Sequence, residues 1–168
     1  MAIEPAIFRS GMRRLGAGVS IITTTGPSGP RGLTATAVCS VGIDPPTLLC
    51  CVNRSSSAHD TIVATRILAV NFLAERDREL AIRFGGAETP ESRFVATRWA
   101  VLTTGSPILQ TALASFDCRV TQLIDNASHT IFIAEVIAAR CGEAVEPLLY
   151  FDGGYGGFKP ASLPNSSG

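Results

Sequence analysis

The groups best suited to gripping an anion crowd into one short run, Asn53-Arg54-Ser55-Ser56-Ser57. Directly after it, Ser57-Ala58-His59-Asp60 has the spacing of a capping box, with Ser57 as N-cap and Asp60 three residues on. The run therefore reads as a loop that opens a helix. Free N–H groups and the positive end of the helix dipole favour an anion at such a place. Arg54 and the three serines complete a cradle of the kind a phosphate occupies, whereas Asp60 places a like charge beside it. A polar turn before an ordinary capped helix has the same sequence, so the loop alone leaves both readings open.

Upstream, residues 32–41 read as a strand. Side chains alternate along a strand, so Thr34, Thr36, Val38 and Ser40 share one face. Leu33, Ala35, Ala37, Cys39 and Val41 share the other. The second face is small and apolar, as a core needs. The first offers a row of hydroxyls that suits a flat polar ring lying against the backbone, although the β-propensity of threonine explains it equally. After a Pro45-Pro46 turn, residues 47–52 are nearly continuously apolar, which predicts a strand buried on both faces. That strand delivers the chain to Asn53.

Other chemistries find little support. The five cysteines, Cys39, Cys50, Cys51, Cys118 and Cys141, include no C-x-x-C, and only His59 and His129 could join them at a metal. That pattern argues against zinc and for small buried thiols in a reducing compartment. There is no G-x-G-x-x-G and no alternating β–α–β pattern, which disfavours a Rossmann fold. Net charge is zero, with 14 basic and 14 acidic residues and a single lysine, Lys159, so no basic patch for nucleic acid is visible. Arg9, Arg13 and Arg14 interrupt any signal-like apolar stretch. No apolar run approaches the roughly 20 residues of a membrane span. These features lead us to expect a soluble cytoplasmic protein.

The elements that must position these groups are mostly short strands. At 168 residues the chain fits one domain. Residues 4–15 form a predicted helix with Phe8, Met12 and Leu15 on one stripe, ended by Gly16. Strands are expected at 19–25, 67–73, 100–103, 113–124, 129–138 and 147–151, and helices at 58–65 and 75–84. Residues 26–32, 105–107, 125–128 and 152–156 read as turns. Residues 88–98 read as irregular, either a lid or plain surface. On the strand at 129–138, Ile131, Ile133 and Glu135 share the His129 face, and Phe132, Ala134 and Val136 share the other. Many strands with few helices predict a mainly β fold, an antiparallel barrel flanked by short helices. The composition is 46% hydrophobic and 17% charged, which suggests that another subunit covers part of the surface.

Several stretches together resemble a known family. Gly-Leu-Thr-Ala-Thr-Ala-Val-Cys-Ser-Val at 32–41, Asp-Pro-Pro-Thr-Leu-Leu at 44–49 and Val-Asn-Arg-Ser-Ser-Ser-Ala-His at 52–59 look like the flavin reductase-like family. These are the short reductase components of two-component flavin-dependent monooxygenases. The likeness continues through Ala-Val-Asn-Phe-Leu at 69–73, Ala-Ile-Arg-Phe at 81–84, His-Thr-Ile-Phe-Ile at 129–133 and Tyr-Phe-Asp-Gly-Gly-Tyr-Gly at 150–156. Each motif is weak alone, but their order and spacing across residues 5–158 are specific.

The resemblance implies a flavin-binding antiparallel split β-barrel over residues 1–158, with a flexible tail at 159–168 and usually a homodimer. It implies NAD(P)H-dependent reduction of FMN or FAD, with NADH the likelier donor, and release of free reduced flavin to a partner monooxygenase. Hydride would pass directly from the nicotinamide to the flavin, a reaction in which the coenzymes carry the chemistry and the protein holds them together. No catalytic triad or metal is then required, and the sequence offers neither. Carried over residue by residue, Thr34, Ala35, Thr36 and Ala37 would line the flavin ring with Ser40 and Cys51. Asn53, Ser55, Ser56 and Ser57 would surround the ribityl chain and phosphate. Phe84 and Gly85 would contact the flavin, and Phe84 equally fits the core end of an amphipathic helix. His129 matches a histidine at the pocket mouth that meets the nicotinamide coenzyme, and Tyr155 in its glycine-rich turn would cap that coenzyme. A flavin-binding module without NADH turnover is the rival reading, and a barrel without a ligand is a third.

Overall fold

The computed structural model describes residues 3–158, apart from residues 87, 96 and 144. The tail expected over residues 159–168 lies outside the described residues. In chain order the elements are α1 (Pro5–Met12), β1 (Ala17–Gly18), β2 (Ser20–Gly26), β3 (Gly29–Ala35), β4 (Val38–Ile43) and β5 (Pro46–Asn53). There follow α2 (His59–Thr65), β6 (Ile67–Phe72), α3 (Arg78–Gly85), β7 (Trp99–Val101) and β8 (Pro107–Leu109). The chain ends in β9 (Ala114–Asn126), β10 (His129–Cys141), β11 (Leu149–Phe151) and β12 (Gly154–Gly156). Among the described residues no helix is long and apolar enough to cross a membrane.

Seven strands form one antiparallel sheet in the order β3-β2-β6-β9-β10-β5-β4. Its two edge strands are consecutive in sequence, since β3 ends at Ala35 and β4 begins at Val38. Six inter-strand gaps of about 4.8 Å would hold the edges of a flat sheet roughly 29 Å apart. Three Cα steps span at most about 11 Å. The sheet must therefore curl until its edges meet. Thr36 and Ala37 bridge them outside any strand, leaving a barrel split along one seam.

This topology corrects the reading of residues 32–41 as one strand. The chain crosses there from one sheet edge to the other, so the alternation is broken at the seam. Ala35 is buried as expected, but Ala37, Cys39 and Val41 of the presumed core face are exposed. β5 also departs from expectation. Leu48, Cys50 and Val52 are buried while Leu49 and Cys51 are partly exposed, because the barrel has one interior and no helix covers the outer side of β5. The turn expected over 26–32 narrows to Pro27 and Ser28, and Pro30 sits in edge strand β3, where a missing donor costs least. The turn expected at 152–156 closes at Asp152 and Gly153, both at positive φ, and the chain continues as β12. The short strand β8 begins where a turn was expected.

Two apolar clusters flank the barrel wall. Inside, Ile22, Cys50, Val52, Leu68, Val70, Cys118 and Phe132 pack together, and Ala58 and Ile62 of α2 plug one end. Outside, Ile21, Leu73, Leu80, Phe84 and Leu148 pack with Trp99, Tyr150 and Tyr155. α3 lies close on the wall because Gly32 has no side chain. A Cβ there would come 2.8 Å from the Phe84 ring and 3.0 Å from the Ile22 carbonyl oxygen. From the segment 88–98, weighed as a lid, Phe94 and Arg93 pack on this outer cluster. Phe94 stacks edge-on to Phe84 at 5.1 Å, and Arg93 donates to the Gly32 and Gly86 carbonyls at 3.0 and 2.7 Å.

Of the cysteines, Cys50 and Cys118 are buried thiols, as expected of all five, while Cys39 and Cys141 are exposed. Helix α1 ends at Met12, earlier than Gly16, and carries no buried residue. Its stripe exists, but none of the described residues buries it.

Candidate active site

β5 carries the chain out of the barrel to Asn53, where a tight turn forms. The Asn53 Oδ1 accepts from the Ser55 N–H at 2.9 Å and from the Ser55 hydroxyl at 2.8 Å, an Asx turn. One residue on, the Ser56 carbonyl accepts from the His59 N–H at 3.0 Å, and the Ser56 hydroxyl accepts from the Ala58 N–H at 3.3 Å. α2 then begins at His59 with Ala58 as N-cap and no side-chain cap. The Ser57–Asp60 capping box therefore does not form. Ser56 serves the orphan N–H groups first, and the Asp60 carboxylate turns to His59 Nδ1 at 2.8 Å. This leaves Ser57 and Arg54 exposed, with no side-chain partner in the described contacts.

His129 stands beside this turn. It opposes Asn53 in the β5–β10 ladder, which puts both side chains on one face. The Arg54 N–H donates to the Ser128 carbonyl at 2.9 Å, and the Ser128 hydroxyl lies 2.9 Å from His129 Nδ1. The structure thus brings Asn53, Ser55, Ser56, Ser57 and His129 together.

The seam joins them through β5. The Cys51 N–H donates to the Ala37 carbonyl at 3.0 Å, two residues before Asn53. Thr36 and Ala37 are exposed and form the shared border of two cavities, of about 670 and 640 Å³. Each lies within the roughly 300–1,000 Å³ range of small-molecule sites. The first is walled by Phe8 and Met12 of α1, Tyr150 and Asp152. The second runs past Val38, Leu49 and Phe72. Small side chains along the seam let a flat ring approach the backbone, so the residues present there fit a flavin ring.

Other expected residues are placed elsewhere. The Thr34 hydroxyl donates to the Ala81 carbonyl at 2.6 Å, so it holds α3 and is not part of an open row. Ala35 points into the barrel. Phe84 is 1% exposed beneath α3, so its ring is shut in the outer cluster, while Gly85 is exposed beside Thr34. Ser40 pairs opposite Leu48, five residues back along β5 from Asn53, and lines a cavity of about 290 Å³ that shares Val38, Cys39 and Phe72 with the second. Tyr155 packs edge-on to Tyr150 at 5.2 Å in the small sheet, where burial pushes its phenol above the ordinary value. It lies in a different sheet from His129, and Tyr150 reaches the cavity in its place.

Two features were not expected at the site from the sequence. Tyr150 and the apolar face of α1 wall the larger cavity. His59 is buried, with Nε2 2.9 Å from the Thr130 hydroxyl and its ring edge-on to Phe132. Among the described residues no group of three or more His, Cys, Asp or Glu could hold a metal.

Comparison with known proteins places these observations. The model of the flavin reductase like domain matches residues 12–159. The chain is 49% identical over 154 residues to the FMN reductase (NADH) RutF of Pantoea ananatis, covering 92% of this chain and 81% of that one. Among solved structures, the NADH:FAD oxidoreductase SgcE6 of Streptomyces globisporus, in complex with NAD and FAD fragments, superposes with a TM-score of 0.87 at 29% identity, covering 97% and 99% of the two chains. Nitrilotriacetate monooxygenase component B of Mycobacterium thermoresistibile superposes with a TM-score of 0.84 at 29% identity, covering 97% and 96%.

Proposed function

The chain belongs to the flavin reductase-like domain family, and from that premise we propose that it reduces FMN with NADH and hands the reduced flavin to a separate monooxygenase. The observation that carries this reading is the continuity of the exposed seam at Thr36–Ala37 with the serine turn, through the Cys51–Ala37 bond. Thr36, Ala37 and Cys51 would lie along the ring. Asn53, Arg54 and Ser55–Ser57 would take the ribityl chain and phosphate. His129 would meet the nicotinamide coenzyme, with Tyr155 acting only through Tyr150.

The coenzymes supply the redox chemistry between themselves. The chain's part is to hold two flat rings face to face and to grip their anionic ends. FMN is favoured because relatives at 44–49% identity are named for it, whereas the relative named for FAD is at 29%. The same names favour NADH over NADPH. An open seam suits a flavin that must leave after reduction, and the likeness to a monooxygenase component supports the separate acceptor. Five unpaired cysteines agree with a cytoplasmic setting. Phe8, Met12 and Leu15 are about half exposed beside the larger cavity, which supports a second copy of the chain covering them and closing that cavity.

The test is direct. The purified protein is mixed with FMN and NADH, and absorbance at the NADH band is followed. Steady oxidation is expected, faster with FMN than FAD and with NADH than NADPH. A yellow protein without turnover would instead make it a flavin-binding module.

A further inference from the structure

The serine turn is tied at both ends to the β9–β10 hairpin, which carries His129. At its start the tie is backbone, Arg54 N–H to Ser128 carbonyl at 2.9 Å. At its end the tie is a side chain, His59 Nε2 to Thr130 Oγ1 at 2.9 Å. His59 is 6% exposed and Thr130 fully buried. The Thr130 hydroxyl has one proton and donates it to Asp125 Oδ1 at 2.7 Å. Its oxygen is therefore the acceptor for the Nε2–H of His59, as the Asp60 carboxylate, which can only accept, is for the Nδ1–H. Asp60 Oδ1 stands at Nδ1 and Phe132 packs edge-on to the ring, so the imidazole is held on every side.

A helix start does not need this arrangement. The sequence offers a capping box at Ser57 and Asp60, and the structure leaves it unused. An apolar side chain would fill the space against Phe132 without needing a buried polar partner. What the histidine adds is a directional bond across 71 residues of sequence, from the first residue of α2 to the residue after His129.

We propose that His59 is a positioning residue that fixes the flavin-gripping turn against His129, so that the two coenzymes are held by one rigid unit. This rests on the flavin reductase reading above. Ser55–Ser57 and His129 each act on one coenzyme. The His59–Thr130 bond acts on the spacing between them, so its loss weakens both.

The test compares His59→Leu, His59→Gln and Thr130→Val with the wild type, reading the FMN Kd by fluorescence titration and the KM for NADH against kcat. His59→Leu and Thr130→Val are expected to raise both the Kd and the KM about fivefold, by more than kcat falls. The double variant should be no worse than either single, because both remove one bond. His59→Gln, which can still donate to Thr130, should recover most of the loss. A Thr130→Val enzyme with unchanged FMN Kd, a change confined to one coenzyme, or a glutamine variant as impaired as the leucine would overturn the proposal. Thr130→Val keeps side-chain volume and carries the test where His59→Leu does not fold. If the wild type binds FMN but leaves NADH unoxidised, the proposed activity falls, while the FMN Kd still decides the role of His59.

Discussion

The barrel wall and the seam are made from the same kinds of residue, small apolar and hydroxyl side chains, and they end in opposite states. In the wall, Cys50, Val52, Cys118 and Phe132 are wholly buried. The one amide buried there, Asn71, accepts from the Leu109 N–H and the Ser115 hydroxyl at 2.9 Å each and donates to the Ile21 carbonyl at 3.1 Å. Buried polar groups are satisfied in this way. Along the seam, Thr36, Ala37, Cys39 and Val41 are exposed, and Phe8 and Met12 beyond them are about half exposed. Burial in the wall holds the protein together. The seam does little for stability in the single chain, and that leaves it open to a ligand and a second copy.

If that division holds, wall and seam variants should separate cleanly. The largest effect is expected in the wall. Leu68 is fully buried in the interior cluster, so Leu68→Ala should lower unfolding stability by about 2–5 kcal/mol, read from urea denaturation. FMN affinity of the folded protein should stay within about twofold of wild type. An affinity loss matching the stability loss would mean that wall and seam are not separable.

Next in size is the serine turn. Replacing Ser55, Ser56 and Ser57 together by alanine should weaken FMN binding at least about 100-fold, which takes only about 2.8 kcal/mol. Ser56 is half-buried and its hydroxyl accepts from the Ala58 N–H, so the triple variant should lose about 0.5–2 kcal/mol of stability, less than Leu68→Ala. Because Ser55 and Ser56 also brace the turn, most of what Ser57→Ala loses alone should be direct contact with the anion. Unchanged affinity in the triple variant would take the turn out of the site.

The same division explains what was legible in the sequence. Wall strands announced themselves. Along residues 129–138 the alternation put Phe132, Ala134 and Val136 on one face and His129, Ile131, Ile133 and Glu135 on the other; Phe132 and Ala134 are buried, His129, Ile131 and Ile133 are not, and Val136, at a register shift, is only half-buried, as Glu135 is. The seam was hidden because alternation continues in phase through Thr34, Thr36 and Val38, and a period of two says nothing about which strand is the partner. Only the order of the seven strands shows that the chain changes edges at Thr36. The α1 stripe was read correctly as amphipathic, but none of its residues is buried among the described residues. The Ser57 cap failed because Ser56 offered the same service one residue earlier. His59 was silent because its partner, Thr130, is 71 residues away. The serine turn and His129 stood out because polar side chains at a strand end have few structural duties.

A smaller effect should come from His129. It opposes Asn53 but is exposed, with only Ser128 at hydrogen-bond distance. His129→Ala should raise the KM for NADH about tenfold, about 1.4 kcal/mol, and change FMN affinity by less than about threefold. Equal losses for both coenzymes would move His129 from the nicotinamide side of the site to the turn itself.

A pH dependence comes again from the wall. Burial, with the neighbouring Cys51 adding to it, pushes the Cys50 thiol from 9.0 up to about 12. Burial also pushes Cys118 up, reinforced by Cys50 and Asp117. Well below pH 9 both thiols keep their protons folded or unfolded, and stability is unaffected. Above that the unfolded chain releases protons that the folded wall retains, so the unfolded state binds fewer and stability must fall as pH rises. Each group can contribute a slope of up to about 1.4 kcal/mol per pH unit. Urea midpoints measured from pH 8 to 10.5 should therefore decline, and less steeply in a Cys50→Ala, Cys118→Ala variant. The exposed Cys39 at the seam should meanwhile react with a thiol reagent in the native protein, where Cys50 does not. An equally steep decline in the double variant would show that the wall thiols are not the groups holding their protons, and the contrast between dry wall and open seam would lose its electrostatic half.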